Sequence, residues 1–275
     1  MADELMDVES GKSQRLMIFT PPRSTKSLMG SIYFSAWCIG RHPTWQTLAV
    51  SYAGSLAEFH GGEVRNLVKS DIYQTIFPEI LLRPDSQARN RWITKHGGIF
   101  TTGGITTGVA GRGANLAIID DPLSEQDAYS KSAREFVKRW YPAGLRTRLM
   151  PNGRILVIQT RWHEDDLAGW LLAGQEGVGR DKWRVIEIPA IFDEEFNPTA
   201  LQTMGVLNVK RKELIARGLL PTDYPELQAG ESYWPPHPQH LIWEKDPDFQ
   251  IRVPELRGWR KEALLTTKAT MAAYT

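Results

Sequence analysis

Arg15-Leu-Met-Ile-Phe-Thr-Pro-Pro-Arg-Ser-Thr-Lys-Ser27 is the stretch that decides the fold. The apolar run Leu16 to Phe19 reads as a short strand buried on both faces. Pro21-Pro22 ends it, because proline has no N–H to donate to a sheet ladder. A helix is predicted from about Ser27 to Ile39. A strand that feeds a helix through a short loop ending in Lys-Ser is the setting in which phosphate is bound. Backbone N–H groups and the helix N-terminus cradle the phosphates, the ammonium reaches the outer ones and the hydroxyl ligates Mg2+. The usual pattern, G-x-x-x-x-G-K-S/T, has glycine where Thr20 and Thr25 stand here. Position 25 is the more consequential, since the residue before the lysine often needs a backbone freedom that a β-branched residue resists. Read alone, an exposed turn before a helix accounts for Lys26-Ser27 equally well.

Outward from this loop, apolar runs alternate with helix-like stretches, the pattern of an α/β domain. Leu48 to Tyr52 reads as a second strand. Ser55 to Val68 reads as a helix with Leu56, Phe59, Val64 and Leu67 as its apolar side, weakened by Gly61-Gly62. Seven glycines between Gly97 and Gly113 punctuate Thr-rich, strand-like pieces. Leu116 to Ile119 is a buried strand ending in Asp120-Asp121-Pro122. Ser130 is the expected N-cap of a helix to about Trp140. Arg154 to Thr160 is a further strand, Asp165 to Leu172 a further helix, and Trp183 to Ile188 the last core strand, closed by Pro189. The expected division is an ATPase-like core over residues 1–190 and a small lid, linker subdomain or arm over 191–275, where Pro, Trp and charged residues mix without a clear period.

An apolar strand delivering two carboxylates suits nucleotide hydrolysis. The first, Asp120, would orient Mg2+ through water, and the second, Asp121, would accept a proton from the attacking water. Capping of the next helix, or satisfaction of the turn at Pro122, is the alternative for one of them. Gln159 and Thr160 end another apolar strand. In an open α/β sheet ligand chemistry gathers at the carboxyl ends of strands, so Lys26/Ser27, Asp120/Asp121 and Gln159/Thr160 are expected to converge on one crevice.

The bulk properties bound the function without choosing it. At 275 residues the chain can bury a sizeable core. No apolar run approaches the roughly 18 residues of a membrane span. Met1 to Glu9 is acidic, unlike a secretory signal. Cys38 is the only cysteine, which excludes an internal disulfide and fits a reducing compartment. A formal charge of +1 gives no basic excess for bulk nucleic-acid binding, so any DNA contact must be local, transient or made by an oligomer.

Taken together, these segments resemble the large terminase subunits of tailed phages and prophages. Residues 15–27 look like their Pro-Pro-Arg-type Walker A segment. Gly111-Arg-Gly-Ala-Asn-Leu-Ala-Ile-Ile-Asp-Asp-Pro122 is similar to their Walker B segment. Thr160-Arg-Trp-His-Glu-Asp-Asp-Leu-Ala-Gly169, the most specific piece, resembles the segment after their coupling motif, and Ile188-Pro189-Ala190 matches the strand end that comes next. The resemblance covers about Leu5 to Ala190. It implies a P-loop NTPase of the additional-strand type, with a mostly parallel central sheet flanked by helices. It implies ATP and Mg2+ as cofactors, with Pro22, Arg23, Ser24, Thr25, Lys26 and Ser27 around the nucleotide and Ser27 and Asp120 at the metal. Arg23 would reach the γ-phosphate, Asp121 stands where many members place a catalytic Glu, Gln159 and Thr160 look like the coupling segment, and Arg112 is a candidate trans-acting finger.

The implied activity is ATP hydrolysis driving double-stranded DNA into a procapsid. The implied partners are double-stranded DNA, a portal protein, a small terminase subunit and further copies in a ring, with no membrane. The implied place is the cytoplasm of a bacterial host, at the portal. The family also carries a longer adenine-gripping segment before Walker A and an RNase H-like nuclease domain, neither expected in this chain. A truncated, non-catalytic fragment or one half of a split terminase is therefore the alternative.

Three further features have plainer readings. His163-Glu164-Asp165-Asp166 lacks the one-turn spacing of helix-borne metal ligands, so helix capping is expected. Trp37, Trp45, Trp140 and Trp170 are expected as core or interface anchors rather than base-stacking platforms. Lys210-Arg211-Lys212, on a predicted helix, would contact DNA phosphate or the portal, with a solvated helix face as the default. Asp193, Glu194 and Glu195 read as a solvated acidic turn.

Overall fold

The apolar runs that mark buried strands assemble into one eight-stranded sheet. The computed structural model describes residues 1–22, 24–106, 113–174, 181–188 and 200–218, with 222 and 226. The strands are β1 (Arg15–Phe19), β2 (Gln46–Ser51), β3 (Leu82–Ala88), β4 (Arg91–Thr94), β5 (Ile99–Gly104), β6 (Ala114–Asp120), β7 (Leu149–Gln159) and β8 (Arg184–Glu187). Their order across the sheet is β3-β4-β5-β2-β6-β7-β1-β8. From β5 through β2, β6 and β7 to β1 every pairing is parallel, while β4 runs antiparallel to both β3 and β5. The strand that enters the candidate phosphate loop (β1) and the one that delivers Asp120 (β6) are separated by β7. That inserted strand is the additional-strand arrangement expected from the sequence.

Because the central strands are buried on both faces, their apolar residues alternate between two cores. Leu16, Ile18, Leu116, Ile118, Leu156 and Ile158 face one core with α1 (Ala2–Ser10), α2 (Phe34–Arg41) and α3 (Gly54–Val68). Met17, Phe19, Ala117, Ile119, Ile155 and Val157 face the other. Its helices are α5 (Glu125–Tyr129), α6 (Lys131–Trp140) and α7 (Leu167–Leu172); α4 (Asp71–Ile76) packs with Tyr73 in the first core. Ser130 caps α6 as expected, accepting from Ala133 N. Trp140 is buried, Trp37 meets Phe77 edge-on, Trp45 stacks on His42 and Trp170 meets Tyr141, so all four anchor packing.

α3 buries Val64 and packs Leu67 against the core as expected, but Phe59 faces out. Phe59 is 58% exposed, and the inward stripe is Ala57, His60, Gly61, Val64 and Val68. The helix lies so close to the sheet that a Cβ on Gly61 would stand 2.6 Å from Thr102 Cγ2 and from Arg89 O. Small residues set that approach, and it carries His60 inward. The candidate phosphate loop is followed by a wide, π-helical turn (Leu28–Tyr33) that leads into α2. Gly30 in that turn plays the same part, since a Cβ there would lie 2.1 Å from Ile158 Cδ1 on β7.

Several elements lack a legible pattern in the sequence. β3 carries exposed Arg83, Pro84 and Asp85, an edge strand with no clean alternation. α1 holds only Leu5, Val8 and Glu9 inward. The chain forms two compact units, Met1–Ile186 and Glu187–Thr275. In the second, α8 (Ala200–Ala216) is the described helix; it includes residues 210–212, and Lys212 pairs with Glu226 at 3.5 Å. Arg23, Arg112, Pro189-Ala190, the acidic turn at 193–195 and the tail from Trp259 lie outside the described residues. No helix among the described residues is long and apolar enough to cross a membrane.

Candidate active site

The register brings three strand ends together: Phe19 lies beside Gln159, and Ile158 beside Asp120. Beyond Phe19 the chain turns through Thr20 to Thr25, and a hydroxyl–hydroxyl hydrogen bond between Thr20 and Ser24 (2.5 Å) ties the base of this loop. Thr25 has φ +59°. It occupies the left-handed backbone region for which glycine is the default, and a β-branched residue is strained there by about 1–2 kcal/mol. The loop thus takes a glycine-type path despite its threonine, delivering Lys26 and Ser27 to the start of the helix.

Lys26 is buried, and its Nζ lies 3.0 Å from Asp121 Oδ2. The other oxygen of Asp121 accepts from Thr160 N at 2.9 Å, so the backbone end of β7 meets the second carboxylate. Asp121 itself sits at φ +44°. Its N–H donates to Ile158 O and its carbonyl accepts from Tyr52 N, which hold it in that conformation.

Asp120 is 3% exposed. Ser27 Oγ donates to its Oδ1 (3.0 Å) and Ser31 Oγ to its Oδ2 (2.6 Å), while His60 Nδ1 stands 3.5 Å from Oδ2. Burial, then the neighbouring Asp121 charge, pushes the Asp120 carboxyl above its ordinary range, and Ser31, His60 and Lys26 oppose that shift. Ser51, the register partner of Asp120 on β2, is buried with a hydroxyl that has no hydrogen-bond partner among the described residues.

These donors fit Mg2+. They are hard oxygens, and the Ser27 hydroxyl gives its proton to Asp120 and keeps its lone pairs for a cation. The Ser51 hydroxyl offers a further polar group to a water shell. Among the described residues no group of three or more His, Cys, Asp or Glu could hold a metal by protein ligands alone. Mg2+ generally keeps several waters and is held through one or two carboxylates and a phosphate. The buried Lys26 ammonium, at the start of the helix, likewise fits a polyphosphate.

Gln159 lies elsewhere. Register pairs share a sheet face, so Gln159 falls on the Phe19 face and Asp120 on the opposite one. Its Nε2 donates to Asp166 Oδ2 (2.8 Å), which also accepts from Arg161 Nε (2.7 Å), and Asp166 Oδ1 accepts from Gly169 N (2.9 Å). Asp166 is therefore the N-cap of α7, as expected for this acidic run. Asp165 pairs with Arg134 and Lys138. The Arg161 guanidinium lies 4.9 Å over the Phe19 ring. Of the coupling pair, the Thr160 backbone reaches the Lys26–Asp121 cluster, and the Gln159 amide joins the α7 cap.

No protein-family model matches the chain, and no curated protein matches it. Among solved structures it is similar to the large terminase ATPase domain of Thermus phage P74-26, at 16% identity and a TM-score of 0.46, over 80% of this chain and 88% of that one.

Ser31 and His60 are the residues that sequence reasoning missed. Ser31 had a usable signal, since it lies four residues after Ser27 on the same helical face. His60 had none, because nothing in the local sequence relates it to Asp120, 60 positions away.

Proposed function

We propose that the chain is an ATP-binding and ATP-hydrolysing motor, the ATPase portion of a terminase large subunit that drives double-stranded DNA into a procapsid. One observation carries the reading. Among the described residues the deeply buried Asp120 carboxylate accepts from two hydroxyls and from no Lys or Arg, beside a buried ammonium at a helix N-terminus. The inserted strand between β1 and β6 and the Thr160–Gly169 run support it. In this reading Pro22, Arg23, Ser24, Thr25, Lys26 and Ser27 surround the phosphates. Bound Mg2+, held by Ser27 and through water by Asp120, would neutralise the charge of the outer phosphates.

Phosphate competes with Asp121 for the Lys26 ammonium. Once Lys26 turns to the phosphate, the Asp121 carboxylate is free to accept a proton from the attacking water. The new P–O bond forms as the bond to the departing diphosphate breaks. Thr160, whose N–H holds Asp121, carries the change into β7, and Gln159 links β7 to α7 through Asp166. Arg23 and Arg112 are assigned to the γ-phosphate and to a neighbouring subunit. The partners in this reading are a portal protein, a small terminase subunit and further copies in a ring, in the cytoplasm of a bacterial host.

The test is Mg-ATP binding and DNA-stimulated hydrolysis by the full chain beside Lys26→Ala and Asp120→Asn. Loss of binding by about 100-fold in Lys26→Ala, the scale of a buried charged contact, and loss of turnover in Asp120→Asn are expected. Absence of Mg-ATP binding by the unaltered chain, or turnover unchanged in both variants, overturns the proposal. A second reading, a chain that keeps the fold and binds ATP poorly, is favoured by one observation, threonine at position 25 where the usual pattern has glycine.

A further inference from the structure

Asp120 has two carboxylate oxygens, and the structure gives them different partners. Oδ1 accepts from Ser27, the residue that would also ligate the metal. Oδ2 accepts from Ser31 at 2.6 Å, the short distance of a hydroxyl bonded to an ionised carboxylate, with His60 on the same side. Ser31 is itself fully buried, so its hydroxyl has no competing water. Its reach depends on Gly30. Ile158, the register partner of Asp120, lies where a Cβ on Gly30 would be, so the wide turn sits against β7 at the level of Asp120. Without that approach the Ser31 hydroxyl would stand farther from the carboxylate.

We propose that Ser31 is a positioning residue for metal-dependent nucleotide binding. It pins Oδ2 of Asp120 and leaves Oδ1 as the oxygen presented, beside Ser27, to the water shell of the cation. This rests on the phosphate-site reading above. Ser31 touches neither phosphate nor metal in it, and acts only by denying Asp120 rotation about its terminal bond. Partners one layer behind a metal ligand commonly change metal affinity 10- to 100-fold when removed.

The experiment uses the full chain and a fluorescent ATP analogue, titrated first with EDTA and then with Mg2+ at fixed nucleotide. Ser31→Ala is expected to leave metal-free nucleotide affinity within about twofold and to raise the Mg2+ concentration for half-maximal binding by about tenfold. Ser31→Thr, which keeps the hydroxyl, is expected to restore most of the Mg2+ response. Should Ser31→Ala fail to fold, the nearly isosteric Ser31→Cys, a much weaker donor, carries the same expectation. An unmoved Mg2+ response, an equal loss with and without Mg2+, or no rescue by threonine overturns the proposal. If the unaltered chain binds no Mg-nucleotide, the phosphate-site reading falls and this inference falls with it. If it binds and Lys26→Ala does not, an unmoved Ser31→Ala refutes this inference alone.

Discussion

Two Asp-Asp pairs stand near the carboxyl edge of the sheet, Asp120-Asp121 and Asp165-Asp166, and in sequence they look alike. Asp120 and Asp166 are also alike in burial, 3% and 4% exposed, and burial pushes both carboxyls up. Their partners differ. Asp166 accepts from a guanidinium, an amide and a backbone N–H, so its charge is met within the fold. Asp120 accepts from two hydroxyls, and among the described residues no cationic hydrogen bond meets its charge directly. The backbone tells the same story. Thr25 and Asp121, beside Asp120, hold two of the three positive-φ conformations found outside glycine among the described residues, whereas Asp166 has ordinary extended backbone. Strain and incomplete charge compensation gather where chemistry is expected, and satisfied bonds gather where a helix is capped.

Substitutions sharpen this contrast. Asp166→Ala removes a cap and takes away the shared acceptor of Arg161 Nε and the Gln159 amide. A loss of about 2–3 kcal/mol in urea unfolding is expected, with the Mg2+ dependence of nucleotide binding unchanged. A selective change in that dependence would erase the distinction between the two carboxylates. Thr25→Gly should act in the opposite sense. Release of the left-handed strain is expected to raise stability by about 1 kcal/mol, less the entropy glycine loses on folding, and to leave nucleotide affinity intact or improved. A fall in melting temperature would show that the loop does not depend on that conformation.

The smallest effect concerns Asp165. A hydrogen bond from Lys138, then its charge and that of Arg134, hold this carboxyl below the ordinary carboxylate range. A depressed pKa contributes stability that is present above the unfolded value, about 3.9, and is lost as pH falls through the native one. Asp165→Asn should therefore lower the melting temperature modestly at pH 6 and converge on the unaltered chain at the acid end. Equal losses at every pH would assign the effect to packing instead.

The sequence made the centre of the molecule legible and left its margins obscure. The buried stretches Leu16–Phe19 of β1, Leu116–Ile119 of β6 and Ile155–Ile158 of β7 are continuous apolar runs because both their faces are covered, and the polar ends that follow are where the site forms. The edge hairpin β3–β4 has no such signature, because exposed residues there answer to solvent rather than to a core. His60 was obscure for a different reason. The approach of α3 is set by Ala57 and Gly61, which share its inward face with Val64 and Val68, while Phe59 faces out, against the usual rule that bulk marks the core. Gln159 was legible as a strand end, but which face its side chain takes depends on a register that only the paired strands define.

Pro84 in β3 has a consequence for self-association. With no N–H at that position and exposed Arg83 and Asp85 beside it, the outer edge of the sheet is a poor template for another strand. Copies of this chain meeting on that side would join through side chains rather than through a continuous backbone ladder.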